Sequence, residues 1–142
     1  MFSIIIPSLN NLDYLKNCIN SIRKNSLYNH EIIVHANIAE DGTLNYLKEN
    51  KIKFTHTKYN SGIPEGVNKA ARQATTNFIV YAHDDFYFLP GWDSSFLEEI
   101  KKTSNNLYYF SGTMVQNGQV SLNCGEDLNS FNEEKLLKEY KN

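Results

Sequence analysis

The chain has 142 residues, with 14 Lys and Arg residues against 16 Asp and Glu residues, a formal net charge of −2. This length favours one domain, and the balanced charge argues against a nucleic-acid-binding protein. A hydrophobic content of 41% excludes a disordered chain. No apolar run approaches the roughly 20 residues that cross a bilayer, and none resembles a secretory signal. We therefore expect a soluble, cytoplasmic protein without a transmembrane segment.

The first segment predicts a strand followed by a helix. Residues 2–6 form a short, almost wholly apolar run rich in β-branched residues, as expected of a strand buried on both faces. Pro7 ends this run, and a polar loop follows. Apolar residues then recur at helical spacing: Leu12, Leu15, Cys18, Ile19 and Ile22.

The same alternation continues along the chain. Three further strands are predicted, at residues 31–34, 53–56 and 78–82. The polar pattern of residues 53–56 favours a strand at the edge of the sheet. A short helix is predicted after the Asp41-Gly42-Thr43 turn, and a longer one covers residues 63–74. Alternating strands and helices predict a parallel sheet covered by helices on both faces.

After the fourth strand the pattern changes. Three elements are predicted: a helix from Trp92, a β-hairpin of residues 107–115 and 120–124 around Asn117-Gly118, and a final helix over residues 131–140. Ser130 and Glu133 have the spacing of a capping box. The predicted fold is an α/β, Rossmann-like three-layer sandwich with a mostly parallel sheet, ending in a β-hairpin and a helix.

The most informative polar residues follow the fourth strand. Ligands of open parallel sheets bind outside the carboxyl ends of the strands, where this chain places His83, Asp84 and Asp85. Adjacent carboxylates repel each other unless a cation or water relieves the repulsion. Oxygen ligands suit Mg²⁺ or Mn²⁺. The pair therefore predicts a metal site, and an acidic turn that caps the next segment fits the spacing equally well.

Two further polar loops are expected at the same edge. Asn60 and Gly62 precede a helix that carries Asn68, and they fit either an anion at the helix start or an ordinary turn. Ser8 and Asn10 follow the first strand and fit either a hydrogen bond to a base or ribose, or helix capping. Three histidines have no partner at metal spacing and are expected to be structural or exposed: His30, His35 and His56.

Taken together, these segments resemble the family 2 glycosyltransferases, inverting enzymes of the GT-A fold that use nucleotide-activated sugars. The resemblance covers residues 3–102 and depends on the order of its motifs: residues 3–8 with Asn10, residues 15–22, residues 31–34 followed by Asp41-Gly42-Thr43, Asn60-x-Gly62 with Asn68, and residues 81–85 leading to Pro90-Gly91-Trp92. Each motif is common, and their order and spacing are not.

The resemblance implies roles for individual residues. Pro7, Ser8 and Asn10 would line the nucleotide pocket. Asp84 would lie nearest the ribose and diphosphate, and Asp85 would be the more direct ligand of Mn²⁺ or Mg²⁺, which neutralises the departing nucleoside diphosphate.

The implied reaction moves a sugar, with inversion, from a nucleoside-diphosphate donor to a hydroxyl group. UDP-sugars are the favoured donors, and the acceptor would be a saccharide or a lipid-linked saccharide. Residues 1–102 would form the nucleotide-sugar-binding half, and residues 103–142 an abbreviated acceptor side.

Three departures from the family pattern stand out. The segment after the second strand has no acidic residue before Glu40, and Asn37 would partly replace the residue that contacts the base. The segment 62–67 lacks the Arg that meets the diphosphate in some members. The region after Asp85 is short, so the base is assigned to Asp127, with Glu126 as second choice; a polar loop before the last helix fits these two equally well.

Two other classes of protein compete with this interpretation. The first is a degenerate or truncated module that binds a nucleotide or sugar without turnover; in the transferase interpretation, by contrast, an oligomer or partner would complete the abbreviated acceptor site. The second is a flavodoxin-like or phospho-receiver domain. This second class is disfavoured because the loop after the first strand, residues 7–10, has neither acidic residues nor a glycine-rich phosphate cradle.

Overall fold

The computed structural model describes residues 1–105, 107–115 and 120–140. The chain falls into two compact units, Met1–Asp93 and Ser94–Asn142. None of the helices in these described ranges is long and apolar enough to span a bilayer. The division into a nucleotide-sugar half and an acceptor half after residue 102 remains a prediction, because contacts within the chain do not report on ligands.

The first unit contains a parallel sheet of four strands. They are β1 (Ser3–Leu9), β2 (Glu31–Asn37), β3 (Lys53–Thr57) and β4 (Ile79–Tyr81). Their order in the sheet is β3-β2-β1-β4, and all three pairings are parallel. The predicted parallel sheet is confirmed, and β3 lies at an edge as its polar pattern predicted.

Helices cover both faces of this sheet. The connecting helices are α1 (Leu12–Asn25), α2 (Thr43–Glu49) and α3 (Gly62–Ala71). Right-handed crossovers place α1 and α2 on one face and α3 on the other, because the chain reverses direction across the sheet after β3. Ala70 of α3 packs against Ile5 and Ile33, while alternate residues such as Ile6 point to the opposite, equally buried face. The predicted three layers are confirmed.

The helix α3 ends earlier than its sequence pattern predicts. The pattern extends to Ala74, but the α-helix ends at Ala71. Gln73 and Ala74 instead donate to the carbonyls of residues three positions back, Ala70 and Ala71. The last turn therefore tightens into 3₁₀ geometry, which satisfies carbonyl groups that an α-helix end leaves free.

The second unit contains the end of α4 (Trp92–Lys102) and α5 (Glu133–Glu139). The predicted hairpin is not confirmed. Its turn, residues 116–119, lies outside the described residues, and the flanking segments are joined by an isolated parallel bridge between Val115 and Val120, where a hairpin would be antiparallel. Leu107 and Tyr109 are 93% and 91% exposed, so this face of the first segment has no packing that would fix a strand register.

The predicted capping box at α5 is wrong. The cap of α5 is Asn132, whose side chain accepts the Lys135 amide at 2.8 Å. The Ser130 hydroxyl instead accepts the amides of Glu126 and Asp127 at 3.0 and 3.1 Å. Ser130 is therefore part of the preceding turn, and the last helix begins two residues later than its apolar pattern indicates.

Candidate functional site

The strand order defines one crevice at the carboxyl edge of the sheet. From β1 the chain proceeds outward through β2 and β3 and then returns to the other side of β1 as β4. Doubly wound sheets bind ligands at such a switch point. The pairing between β1 and β4 ends at Ile5 and Tyr81. Ser8 and Asp84 each lie three residues further along their strands and loops. The carboxyl end of β1 and the Asp pair thus both belong to this crevice.

Polar residues on one face of α1 hold the loop that carries the Asp pair. Cys18 donates from Sγ to the His83 carbonyl at 3.5 Å. The Ser21 hydroxyl accepts the Phe88 amide at 2.9 Å, and Asn25 donates to the Phe88 carbonyl at 2.7 Å. Positions 18, 21 and 25 share a helix face. Ser21 and Asn25 are polar residues in an otherwise apolar stripe, and this sequence signal for contacts with the loop after β4 was missed.

The two carboxylates have no partners within the described residues. Asp84 is half-buried and Asp85 is exposed, and neither forms a hydrogen bond or an ion pair with residues 1–105, 107–115 or 120–140. Burial, reinforced by both negative charges, keeps the pKa of the Cys18 thiol well above its usual range. Burial and the Asp85 charge also raise the pKa of Tyr81. Among the described residues, the pair caps no segment and forms no ion pair with a cationic side chain.

This donor set fits a shared cation and not an all-protein metal centre. Within the described ranges, no group of three or more His, Cys, Asp or Glu side chains could hold a metal. Mg²⁺ is commonly bound by one or two carboxylates together with substrate phosphates and water. Asp84 and Asp85 therefore fit a divalent cation whose remaining ligands come from a diphosphate.

The carboxyl end of β1, which continues past Pro7 to Leu9 and so is longer than predicted, contributes a buried hydroxyl. Ser8 Oγ is the only fully buried side-chain polar atom without a hydrogen bond in the described part of the chain. Buried polar atoms nearly always have a hydrogen-bond partner. An unpaired hydroxyl at the carboxyl edge of the sheet is therefore available for a hydrogen bond to a ligand. Pro7 is buried in β1. Asn10 has a left-handed backbone (φ 48°), and its side chain accepts the Glu40 amide at 2.8 Å; it ties two loops together and caps no helix.

Asp41 is the residue that caps α1 and α2. Its carboxylate accepts the Leu12 amide at 2.8 Å and the Thr43 amide at 3.1 Å. Partial burial opposes ionisation, but the hydrogen bonds from Thr43 and Leu12 outweigh it and lower the pKa of Asp41. The motif Asp41-Gly42-Thr43 is thus a shared helix cap that fixes the first two loops of the carboxyl edge relative to each other.

The remaining predicted residues of this unit lie near the start of α3 or on its surface. Asn37 is 4% exposed and accepts the Ser61 amide at 3.0 Å. Asn60 accepts the Gly62 amide at 2.9 Å in a local turn, where the φ of 74° at Gly62 requires glycine. Asn68 is exposed on the face of α3 opposite Ala70 and joins none of these contacts.

The predicted base lies in the second unit. Asp127 accepts the Ser130 amide at 2.9 Å and the Ser130 hydroxyl at 2.8 Å. These hydrogen bonds, the backbone one first, lower the pKa of Asp127. Glu126 is exposed beside it. The carboxylate of Asp127 is therefore ionised and held by its own turn.

A cavity of about 480 Å³ lies at the opposite edge of the sheet, around the amino ends of β2 and β3. Its lining includes Arg23, Tyr28, Glu31, Lys51 and Lys53. We assign the ligand site to the carboxyl edge because the switch point, the orphaned hydroxyl and the unpaired carboxylates all belong there, and none of these features lines the cavity.

The fold and this edge define a doubly wound α/β protein with a crevice at its switch point. Residues 3–140 match the family model described as glycosyl transferase family 2. The chain belongs to this family, and its architecture resembles that of GT-A glycosyltransferases.

Known proteins agree with this assignment. The glycosyltransferase YfnE of Bacillus subtilis (strain 168), described as uncharacterized, is 34% identical over 88 residues, which are 58% of this chain and 22% of that protein. The crystal structure of S. aureus TarS 1-349 in complex with UDP is 28% identical with a TM-score of 0.59, covering 69% of this chain and 32% of that one. The mannosyltransferase PcManGT from Pyrobaculum calidifontis, in complex with GDP-Man and Mn²⁺, is 19% identical with a TM-score of 0.56, covering 66% of this chain and 30% of that one, and shares the fold. The chain thus spans between about a fifth and a third of these proteins.

Proposed function

We propose that the chain binds a nucleoside-diphosphate sugar at the switch point and transfers the sugar to a hydroxyl group. The observation that carries this proposal is the pair of carboxylates Asp84 and Asp85, which have no partner in the described part of the chain, at the carboxyl edge of a family 2 glycosyltransferase sheet. The UDP bound to TarS and the GDP-Man bound to PcManGT support a nucleotide-sugar donor. We favour a UDP-sugar because TarS has the higher sequence identity of these two structures.

In this proposal the carboxyl edge binds the donor from two sides. Asp84 lies towards the ribose and diphosphate, and Asp85 holds Mn²⁺ or Mg²⁺ against the diphosphate. The bound cation supplies charge neutralisation for the departing nucleoside diphosphate. Pro7 and Ser8, at the carboxyl end of β1, and Asn10, in the loop after it, contact the nucleotide.

The β2 and α3 side of the nucleotide pocket contains four further proposed residues: Asn37, Asn60, Gly62 and Asn68. Asn37 is the member of this set with a side chain at the carboxyl end of a strand.

The acceptor side of the proposal assigns the base to Asp127, with Glu126 as second choice. The lowered pKa of Asp127 keeps it in the ionised form that accepts a proton, although it also makes the carboxylate a weaker base. Removal of the proton from the attacking hydroxyl would accompany inversion at the anomeric carbon of a transferred hexose. The acceptor is a saccharide or lipid-linked saccharide of polysaccharide biosynthesis in the cytoplasm, and an oligomer or partner completes its site.

The role of Asp127 has a direct test. We expect Asp127→Asn to abolish sugar transfer and to leave nucleotide affinity unchanged, because its carboxylate is proposed to act on the acceptor and not on the donor. Transfer assays and nucleotide titrations on one preparation measure both. Undiminished transfer by the variant contradicts the assignment and moves the role to Glu126.

A second candidate function is nucleotide or sugar binding without turnover. It is favoured by the missing acidic residue between Val34 and Glu40 and by the 32% share of TarS 1-349 that the chain covers. This alternative predicts nucleotide binding with neither sugar transfer nor donor hydrolysis.

The proposed donor site is tested by calorimetric titration of UDP, GDP, CDP and dTDP, each with and without Mn²⁺. We expect one nucleotide to bind in a Mn²⁺-dependent manner and Asp85→Ala to weaken that binding at least tenfold, because the cation loses its more direct protein ligand. The exposed Asp85 has no partner within residues 1–105, 107–115 or 120–140, so the substitution should change the free energy of unfolding by no more than about 0.5 kcal/mol.

The matched control is Glu49→Ala, which removes an exposed carboxylate from the end of α2. It should leave nucleotide binding at the wild-type level. The donor-site proposal is wrong if folded wild-type protein binds none of the four nucleotides, or if Asp85→Ala binds as tightly as the wild type in Mn²⁺.

A further inference from the structure

A buried hydrogen-bond network connects β3, β2 and the start of α3 through one histidine. His35 is fully buried. Its Nδ1 lies 2.7 Å from the Thr55 hydroxyl, and its Nε2 lies 3.2 Å from the Ser61 hydroxyl and 3.3 Å from the Thr57 hydroxyl. Both ring nitrogens are thus engaged, and the ring cannot turn without breaking these bonds.

The directions of these hydrogen bonds follow from counting protons. The hydroxyls of Ser61 and Thr57 both donate to Asn37 Oδ1, at 2.8 and 3.1 Å. Each hydroxyl has a single proton, so both oxygens can only accept from His35. Nε2 of His35 must therefore carry the ring proton and donate it, while Nδ1 accepts from Thr55. Burial lowers the pKa of His35, which keeps this neutral form in place.

The network fixes the orientation of the Asn37 amide. Besides the two hydroxyls, the backbone N–H of Ser61 donates to Asn37 Oδ1 at 3.0 Å. Three donors converge on this atom, so it is the amide oxygen and not the nitrogen. The nitrogen, Nδ2, makes no hydrogen bond to the described residues. It is also not sealed in, because Ser8 Oγ is the only unpaired and fully buried side-chain polar atom in those ranges.

Asn37 is the last residue of β2, so its free N–H₂ group opens onto the carboxyl edge of the sheet. A group with only N–H donors left can bind a ligand atom that accepts a hydrogen bond, such as a carbonyl oxygen or a bare ring nitrogen. It cannot read the N–H of an imide. Phosphate oxygens accept hydrogen bonds too, but the proposed cation holds the diphosphate at the loop after β4, on the other side of β1 from Asn37. The carbonyl oxygens and bare ring nitrogens of the nucleobase are therefore the acceptors that fit Asn37.

We propose that His35 is a positioning residue that orients Asn37, through Ser61 and Thr57, to donate a hydrogen bond to an acceptor atom of the donor's nucleobase. This inference depends on the proposed function, and it makes Asn37 a specificity-determining residue for the base. It also gives a buried histidine, expected from sequence to be structural or exposed, a role in ligand selection.

The test uses whichever of UDP, CDP, GDP and dTDP binds the wild type most tightly, with inorganic pyrophosphate titrated in parallel. Asn37→Asp retains the oxygen that Ser61 needs and replaces the N–H₂ group by a second oxygen. We expect it to weaken nucleotide binding about tenfold, as expected for a lost base contact, and to leave pyrophosphate binding unchanged. Asn20→Asp, at an exposed position of α1, adds the same charge and should change neither affinity.

Variants of His35 separate positioning from structure. His35→Phe fills the same space without a donor and should weaken nucleotide binding as much as Asn37→Asp. His35→Gln restores an N–H donor towards the two hydroxyls and should recover most of the affinity. A role confined to packing predicts no such recovery.

The outcomes distinguish this inference from the proposal on which it depends. Wild-type protein that binds no nucleotide overturns both. Wild-type protein that binds a nucleotide, with Asn37→Asp binding equally well or more tightly, overturns the base contact alone. Loss in His35→Phe without recovery in His35→Gln overturns the positioning role.

Discussion

We expect Gly66→Ala to lower the free energy of unfolding by about 2–3 kcal/mol. At an exposed position inside a helix the same substitution would stabilise the protein by about 1 kcal/mol. The sign reverses here because α3 lies directly on the sheet. A Cβ atom on Gly66 would lie 2.6 Å from Cδ2 and 3.2 Å from Cγ of His35, far inside the van der Waals contact distance of two carbon atoms.

Neither partner in this contact can yield at low cost. The His35 ring is held at both nitrogens by hydroxyl groups of Thr55, Ser61 and Thr57. The backbone of α3 is held against the sheet by Ala70, which packs on Ile5 and Ile33. The added methyl group must therefore break buried hydrogen bonds or lift the helix from the sheet.

Urea unfolding at pH 7 measures this effect. Asn20→Ala, on the exposed face of α1, is the control for alanine in a helix and should stabilise the protein by a few tenths of a kcal/mol. In a double-mutant cycle, Gly66→Ala should cost much less in a His35→Ala background, because the clash has been removed. A Gly66→Ala protein as stable as the wild type would show that the ring does not lie against the helix.

The parts of the fold predicted from sequence depend on periodicity. The four strands stand out as short runs rich in β-branched residues, and α1 as a regular apolar stripe, because both patterns are set by local geometry. The parallel order then follows from the alternation of strands and helices. Turn motifs are local as well, which is why the Asp41-Gly42-Thr43 turn is found where the sequence predicts it.

The parts that could not be predicted depend on contacts between distant residues. The sequence identifies Asn37 as a ligand candidate, but its three bonds to Thr57 and Ser61 span 20 and 24 positions. Nothing local distinguishes His35, buried in that network, from an exposed histidine. The hairpin prediction was based on local turn chemistry alone, and such a turn makes a stable strand pair only where a face is buried.

The carboxyl edge is preorganised by hydrogen bonds between side chains and the backbone of its loops. Asn10 holds the Glu40 amide, and Asp41 holds the Leu12 amide, so the loops after β1 and β2 are fixed to each other. Ser21 and Asn25 fix the loop after β4. Binding groups held in place before the ligand arrives lose less conformational entropy on binding, so the Asp pair and Asn37 need little rearrangement to meet a nucleotide.

At the opposite edge, Glu31→Gln is expected to lower the free energy of unfolding by about 2 kcal/mol at pH 7. Glu31 opens β2 and connects three other segments. Its carboxylate accepts the Ser3 hydroxyl at 2.6 Å, the Thr75 amide at 2.9 Å and the Lys53 ammonium at 3.0 Å. The bonds join the starts of β1 and β3 to the chain that leaves α3, so a neutral amide weakens several contacts together.

The pH dependence of this effect follows from the pKa of the carboxyl group. Burial alone would raise the pKa of Glu31, but the hydrogen bonds from Ser3, Thr75 and Lys53 outweigh it and lower the pKa from 4.5 to about 2. A group with a lower pKa in the folded state stabilises the protein fully above its unfolded pKa. That stabilisation is lost as the pH falls through the folded pKa. The wild-type advantage over Glu31→Gln should therefore be constant from pH 7 to about pH 5 and should vanish as the pH approaches 2.

Urea unfolding of both proteins between pH 7 and pH 2.5 separates charge from packing. Glu99→Gln serves as the control, because Glu99 and its partner Lys102 are 52% and 68% exposed, and exposed ion pairs contribute between about 0 and 1 kcal/mol. Its stability should follow the wild type at every pH. If the Glu31→Gln deficit persisted undiminished below pH 3, the carboxylate would stabilise the sheet by its shape and not by its charge. If the difference in the free energy of unfolding between the wild type and Glu31→Gln instead disappears as the pH falls, the stabilisation comes from the ionised group.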